Sequence, residues 1–141
     1  MYMTAVDLYH KIAPTKKKIM CYDSASDILS LSNGWLKILN FYYDSGYVQS
    51  SGQILAYKVK SVEDIVYINV NNILVTSPEQ TMFDLFKNNK NIQACLVGLL
   101  RYRDKYDKSL LNLKNFSEQR NFIIDWDNKL YRAIEAYEDY G

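Results

Sequence analysis

Ile73-Leu74-Val75-Thr76-Ser77-Pro78-Glu79-Gln80-Thr81-Met82-Phe83-Asp84-Leu85-Phe86 is the stretch on which the fold turns. Its first four residues are apolar or β-branched and follow Asn71-Asn72, a pair that suits a two-residue hairpin turn because asparagine tolerates positive φ. The remainder opens a helix: Ser77 offers a side-chain N-cap, Pro78 carries the fixed φ of a first helical position, and Gln80 stands where a capping box wants Glu or Gln. A strand therefore runs straight into a helix at Ser77, and the chain changes character there.

Downstream, Ile92, Cys95, Leu96, Leu99 and Tyr102 recur at the spacing of one helix face, and Ile123, Trp126, Leu130, Ile134 and Tyr137 do the same. Upstream the pattern is β-rich. Lys18 to Tyr22, Leu36 to Tyr43, Tyr47 to Gln49, Ile54 to Lys60 and Ile65 to Val70 read as strands, with Ser50-Ser51-Gly52 as a turn. Two short helices are expected among them. One runs from a Thr4/Asp7 cap through Val6, Leu8, Tyr9 and Ile12 to Pro14; the other runs from a Ser24/Asp27 cap to Asn33-Gly34. The expected fold is a single α+β domain over residues 1–141, with a mostly antiparallel sheet in the first half packed by three or four C-terminal helices.

Composition narrows the function classes. A chain of 141 residues supports one core, and 48% hydrophobic with 23% charged residues is ordinary for a globular domain. No apolar run approaches the ~20 residues of a membrane span, and Met1 to Asp7 lacks an export leader, so no membrane partner and a cytoplasmic location are expected. Cys21 and Cys95 form no Cys-x-x-Cys pair and read as small buried hydrophobes in a reducing compartment. A net charge of +1 lacks the positive excess of phosphate-backbone binding, and the Lys16-Lys17-Lys18 cluster reads as a solvated loop. The count of 13 tyrosines against 5 phenylalanines suits half-buried or interface positions, and equally suits a chain rich in Lys, Asn and Ile by codon bias.

Chemistry is sparse in the chain. His10 is the single histidine and follows no nucleophile motif; with Cys21 and Cys95 it matches no zinc spacing, so no metal is expected. Gly34, Gly46 and Gly52 fit no phosphate-cradling pattern, so no cofactor is expected. Lys58-Val59-Lys60 and Glu63-Asp64-Ile65 come nearest to a two-metal nuclease pattern without matching it, and Asp125-Trp126-Asp127 reads as the polar edge of a helix start. A winged-helix DNA-binding regulator is the structural alternative, with helices at 4–13, 24–32 and 34–45 and a hairpin at 47–60. Its recognition helix, Trp35 to Tyr43, would hold one basic residue among many apolar ones, against what base reading needs.

The stretch from Ile73 to Phe86 resembles the V-T-S-P-E-R-T-L-x-D-L signature of AbiEi-type antitoxins of type IV toxin–antitoxin systems, and Lys18 to Gly34 is similar to that family's preceding strand and helix. Together the two cover about residues 18–90. Gln80 stands where the family usually has arginine. The resemblance implies the toxin-neutralising domain without the usual N-terminal winged helix, a nucleotidyltransferase-type toxin as partner, and no catalytic residues. Ser77, Pro78, Glu79, Thr81 and Asp84 are then structural, with Thr81 and Asp84 tying the helix to neighbouring backbone and Phe83 or Phe86 anchoring it on the sheet. A Tyr-rich helical face of Tyr102, Tyr106, Tyr131 and Tyr137 is the expected partner-binding surface. A phage or mobile-element inhibitor of a host defence complex would show the same profile. An enzyme acting on nucleic acid through Asp64 or Asp84 is the last alternative.

Overall fold

The computed structural model describes residues 5–12, 16–32, 38–46, 48 and 51–138. They form α1 (Ala5–Ile12), β1 (Ile19–Met20), α2 (Tyr22–Ile28), β2 (Leu39–Tyr43), β3 (Ile54–Lys58), a 3-10 turn (Val62–Asp64), β4 (Tyr67–Val70), β5 (Ile73–Thr76), α3 (Pro78–Lys87), α4 (Ile92–Lys105), α5 (Leu111–Gln119) and α6 (Trp126–Tyr137). The α+β character and the four helices after Ser77 match expectation.

The sheet does not match. Its order is β3-β2-β1-β5-β4, and it is mixed: β1/β2 and β4/β5 are antiparallel, β1/β5 and β2/β3 parallel. Hydrophobic periodicity reports which way side chains face and says nothing of the direction of the neighbouring strand, which is why the mostly antiparallel expectation was wrong. The strands also run on to Thr76, past the first half of the chain. The β4–β5 connection is a tight hairpin, with Asn71 at φ 50° and Asn72 at φ 66°, as a primed two-residue turn requires.

The central strands are covered on both faces. Leu39, Asn40, Phe41 and Tyr42 are all buried, whereas β3 and β4 hold only half-buried and exposed positions. Near-continuous burial explains the imperfect alternation of the central runs. β1 is shorter than Lys18 to Tyr22 because Tyr22 already begins α2, at φ 48°, with Cys21 as the N-cap residue. Ser24 is therefore no cap. Its Oγ accepts from Asn40 N at 2.8 Å and donates to the Ile38 carbonyl at 3.2 Å, stitching α2 to β2.

Other expectations are corrected by burial. Lys18 lies out of solvent at 4% exposure, its Nζ donating to the carbonyls of Ile12 and Lys16 at 3.0 and 3.2 Å, and desolvation lowers its pKa. Lys17 instead reaches out to Glu63 at 2.6 Å and Tyr67 at 2.8 Å. Ile123 is not part of the last helix: α6 starts at Trp126 under an Asp125 cap, leaving Ile123 in the preceding linker at 99% exposure. Residues 39–43, assigned to the recognition helix of a winged helix, are a buried strand in the sheet. Thr4, Pro14, Asn33-Gly34, Tyr47, Gln49 and Ser50 lie outside the described residues. No described helix is long and apolar enough to cross a membrane.

The hairpin gives a direct check on this topology. Asn72→Gly should keep or slightly raise stability, because glycine meets no steric cost at positive φ. Asn72→Val should lower it by about 1–2 kcal/mol, the cost of a Cβ-branched residue in the left-handed region, read from urea unfolding midpoints.

Candidate functional site

The residues that carry the family resemblance form one hydrogen-bonded block at the start of α3. Ser77 Oγ accepts from Gln80 N at 3.1 Å, so the N-cap read from sequence is in place. Thr81 Oγ1 lies 2.8 Å from the Ser77 carbonyl, 3.2 Å from the Thr76 carbonyl and 2.7 Å from Thr76 Oγ1, locking the first turn to the end of β5. Glu79 Oε2 accepts from Tyr102 OH at 2.6 Å, which ties α3 to α4. Pro78 and the whole of Gln80 to Phe86 are buried. A helix buried on so many sides needs its polar side chains partnered, because an orphaned buried group costs about 1–3 kcal/mol.

Gln80 and Asp84 supply that partnering across the fold. Gln80 Oε1 accepts from Val66 N at 3.0 Å, while its Nε2 donates to Asp84 Oδ1 at 2.9 Å. Tyr42 OH donates to the other oxygen, Oδ2, at 2.9 Å, so Asp84 ties α3 to a side chain of β2 rather than to backbone as expected. Gln80 thus uses both ends of its amide. Desolvation pushes the Asp84 carboxyl up to about 6, and the hydrogen bonds from Gln80 and Tyr42 pull the other way without cancelling it. Burial likewise pushes the Tyr42 hydroxyl far up.

Around this carboxyl sits a tyrosine cluster that the sequence reading did not anticipate. The Tyr22 ring is 5.7 Å from that of Tyr42 and 4.9 Å from that of Tyr57. Lys90 places its ammonium 4.5 Å from the Tyr22 ring and 5.1 Å from that of Tyr57, and Asn88 Nδ2 donates to Tyr22 OH at 3.1 Å. Tyr22 is an aromatic residue held at φ 48°, a strained conformation that these contacts stabilise. Asp84 itself is 5% exposed with a hydrogen bond to each oxygen, so this carboxyl is closed to an incoming molecule by burial.

Lys90 also borders a cleft of about 600 Å³ between the α3–α4 turn and the α5–α6 linker, where Ile92, Ile123, Lys87 and Lys129 meet. Phe86 and Cys95 lie at its base. Cys95 is 1% exposed, its thiol directed at the carbonyls of Leu85 and Lys90, and burial pushes its pKa up to about 11. Cys21 has no exposure and is raised further by desolvation, so both cysteines are buried free thiols, as read from the sequence.

The expected tyrosine face is not continuous. Tyr102 has no exposure and cannot meet a partner; it lies on the face it shares with Cys95, Leu96 and Leu99, and that face looks inward. It stacks beneath Tyr106 at 5.9 Å, and Tyr106 OH donates to the Leu29 carbonyl at 2.9 Å. Tyr106 is 38% and Tyr131 64% exposed, and Tyr137 is half-buried against the core. Phe83 and Phe86 anchor α3 on helices rather than on the sheet: Phe83 meets Phe116 and Phe122, and Phe86 meets Trp126, each edge-on at 4.9 to 5.4 Å. Asp125 caps α6 by accepting from Asn128 N at 3.0 Å, and Trp126 is buried with its indole N–H on Ser117 Oγ at 2.9 Å. His10 is exposed on α1, edge-on to Tyr9, and Asp64 is exposed in the 3-10 turn.

Among the described residues no three of His, Cys, Asp and Glu are grouped so as to hold a metal ion. No protein-family model matches the chain, and no curated protein is similar to it.

Two variants test the block. Thr81→Val keeps the shape but strands Thr76 Oγ1 in the interior, and should cost about 1–3 kcal/mol in urea unfolding. Asp84 has a native value near 6, above the ordinary 3.8, so its protonated form favours the fold. Its contribution is complete below about pH 4 and is lost as pH rises through about 6. Wild-type stability should therefore fall between pH 4.5 and 7.5 by roughly 2–3 kcal/mol more than that of Asp84→Asn, whose amide can accept from Gln80 and donate to Tyr42. Parallel pH profiles for the two proteins would show that Asp84 does not titrate in this window.

Proposed function

We propose that this chain is a non-catalytic, antitoxin-like protein-binding module that masks a nucleotidyltransferase-type toxin. The reading takes its partner class from the resemblance of the Ile73 to Phe86 stretch to AbiEi-type antitoxins, whose residues here are all used in fastening α3. The observation that carries it is the placement of exposed apolar side chains. Ile92, Leu111, Ile123 and Tyr131 are 63%, 56%, 99% and 64% exposed and all belong to the helical half, whereas Leu55 and Ile68 of the strands reach 40% and 39%. Large apolar side chains left in solvent on the helices and linkers of a small domain favour a surface that a partner covers, and two of these four, Ile92 and Ile123, border one cleft.

On this reading the helices α4 to α6 and their linkers are the binding side, with Tyr106 and Tyr131 contributing. The sheet edges lie on the remainder of the surface.

The test is co-expression of the tagged chain with candidate nucleotidyltransferase toxins, scored by growth rescue and by co-purification at stoichiometric yield. A toxin of that class should be neutralised, and Tyr131→Ala should weaken the complex roughly tenfold, about the loss of one interface aromatic. Co-purification of a defence nuclease complex instead would move the chain to the inhibitor class. Recovery of nucleic acid with no protein would overturn the protein-binding reading.

A further inference from the structure

We infer that the cleft between the α3–α4 turn and the α5–α6 linker is the docking site for a short acidic segment of the partner protein, one that carries aliphatic or aromatic side chains among its carboxylates. The inference deepens the reading of the chain as a protein-binding module and rests on it.

Three features of the cleft agree. First, its charge is one-sided. Lys87, Lys90 and Lys129 border it, and among the described residues none of the three stands within ion-pair distance of a carboxylate. Asp125, the acidic residue in the lining, is spent on the cap of α6. Lys87 and Lys90 instead rest over the rings of Phe83 and Tyr22 at 5.3 and 4.5 Å, a contact that leaves an ammonium its full charge to offer.

Second, α4 and α6 run in the same direction. Their N-terminal ends both line the cleft, while at the far end Arg103 donates to Glu138 at 2.9 Å. The N-terminus of α4, capped by the neutral Asn91, adds positive potential to that of the lysines, whereas the positive end of α6 is offset by its Asp125 cap and by Asp127.

Third, the apolar part is aliphatic and raised. Ile92 is 63% and Ile123 99% exposed, on opposite sides of an opening of about 600 Å³, enough for a few side chains and too small for a whole domain face. Isoleucine pairs grip branched or aromatic side chains. Flat aromatic platforms for stacked bases are what a nucleic-acid strand would need, and the accessible ring of the lining, Phe122, is half-buried and packed edge-on with Phe83. The cations favour acid and the isoleucines favour apolar side chains, so a protein segment with both fits the site better than a polynucleotide.

The experiment is selection of a random dodecapeptide library on the intact chain, followed by fluorescence anisotropy with the most enriched peptide. Enriched sequences should combine Asp or Glu with Leu, Ile, Phe or Trp. Ile123→Asp and Lys87→Glu/Lys129→Glu should each weaken binding of that peptide at least tenfold. Ile123→Asp should unfold at the wild-type temperature, because Ile123 is 99% exposed, while the double lysine variant should stay folded with a lower midpoint, because Lys87 rests on the Phe83 ring at the C-terminal turn of α3.

The inference is overturned if the enriched peptides are not acidic, if neither variant alters their binding, or if a twelve-nucleotide oligothymidylate binds at this site in their place. The two readings fail separately. A toxin complex that survives Ile123→Asp would sink the cleft assignment alone, and a cleft that takes acidic peptides in a chain that neutralises no nucleotidyltransferase would sink the antitoxin reading alone.

Discussion

The hydrogen bond from Tyr42 to Asp84 is the tie on which the architecture depends. It joins a central strand to the most buried helix, and it exists only because Gln80 fixes the other carboxylate oxygen from within α3. Gln80 is in turn held by Val66 N, so the connection to β4, the helix start and the hydrogen bond to β2 form one chain of donors and acceptors. Remove any member and a polar group is left in a region that Met82, Leu85 and Val75 keep dry at zero exposure. α4, α5 and α6 then pack on α3 through Glu79–Tyr102, Phe83–Phe116 and Phe86–Trp126. The helical half is thereby hung on an element that is itself bonded to the sheet.

What could be read from the chain were features decided within a few residues. Asn71-Asn72 and Ser77-Pro78 fixed a turn and a helix start because φ preference and N-capping are local chemistry, and both stand where expected. Cys21, Cys95 and the Asp125 cap were legible for the same reason. Strand direction was not legible, since β2 and β3 pair in parallel through contacts that leave no trace in the alternation of either strand. Ser24 looked like a cap and became a staple to β2, because its competing partner, Asn40, is distant in sequence. Lys18 looked solvated as part of a basic run, and is buried because the carbonyls of Ile12 and Lys16 accept its protons.

The candidate site divides along the same line. The residues of the α3 start were legible as a structural unit. The Tyr22, Tyr42 and Tyr57 cluster with Lys90 was not, since its members come from three separate elements and the turn after α3. A helical projection settled the exposure of neither Tyr102 nor Ile123. One faces inward on α4, and the other falls in a linker where the projection no longer applies. The abundance of tyrosine has a physical use here: Tyr9, Tyr42, Tyr102 and Tyr106 each bury much of a ring while sending the hydroxyl to a carbonyl or a carboxylate on another element, a tie phenylalanine cannot make.

At the middle of the sheet stands its shortest strand. β1 has two residues, yet Met20 pairs with Phe41 on one side and with Val75 on the other, so within the sheet the β3-β2 and β5-β4 pairs meet through this seam. During synthesis β1 and β2 emerge well before β5, and Met20 must wait for Val75 with its second edge open. The β4–β5 hairpin and α3, by contrast, are contiguous and can form on their own contacts as they leave the ribosome. The centre of the sheet thus cannot be completed until β5 has been made, and the open edge of β1 during that interval is a point at which a newly made chain is open to mispairing with another copy.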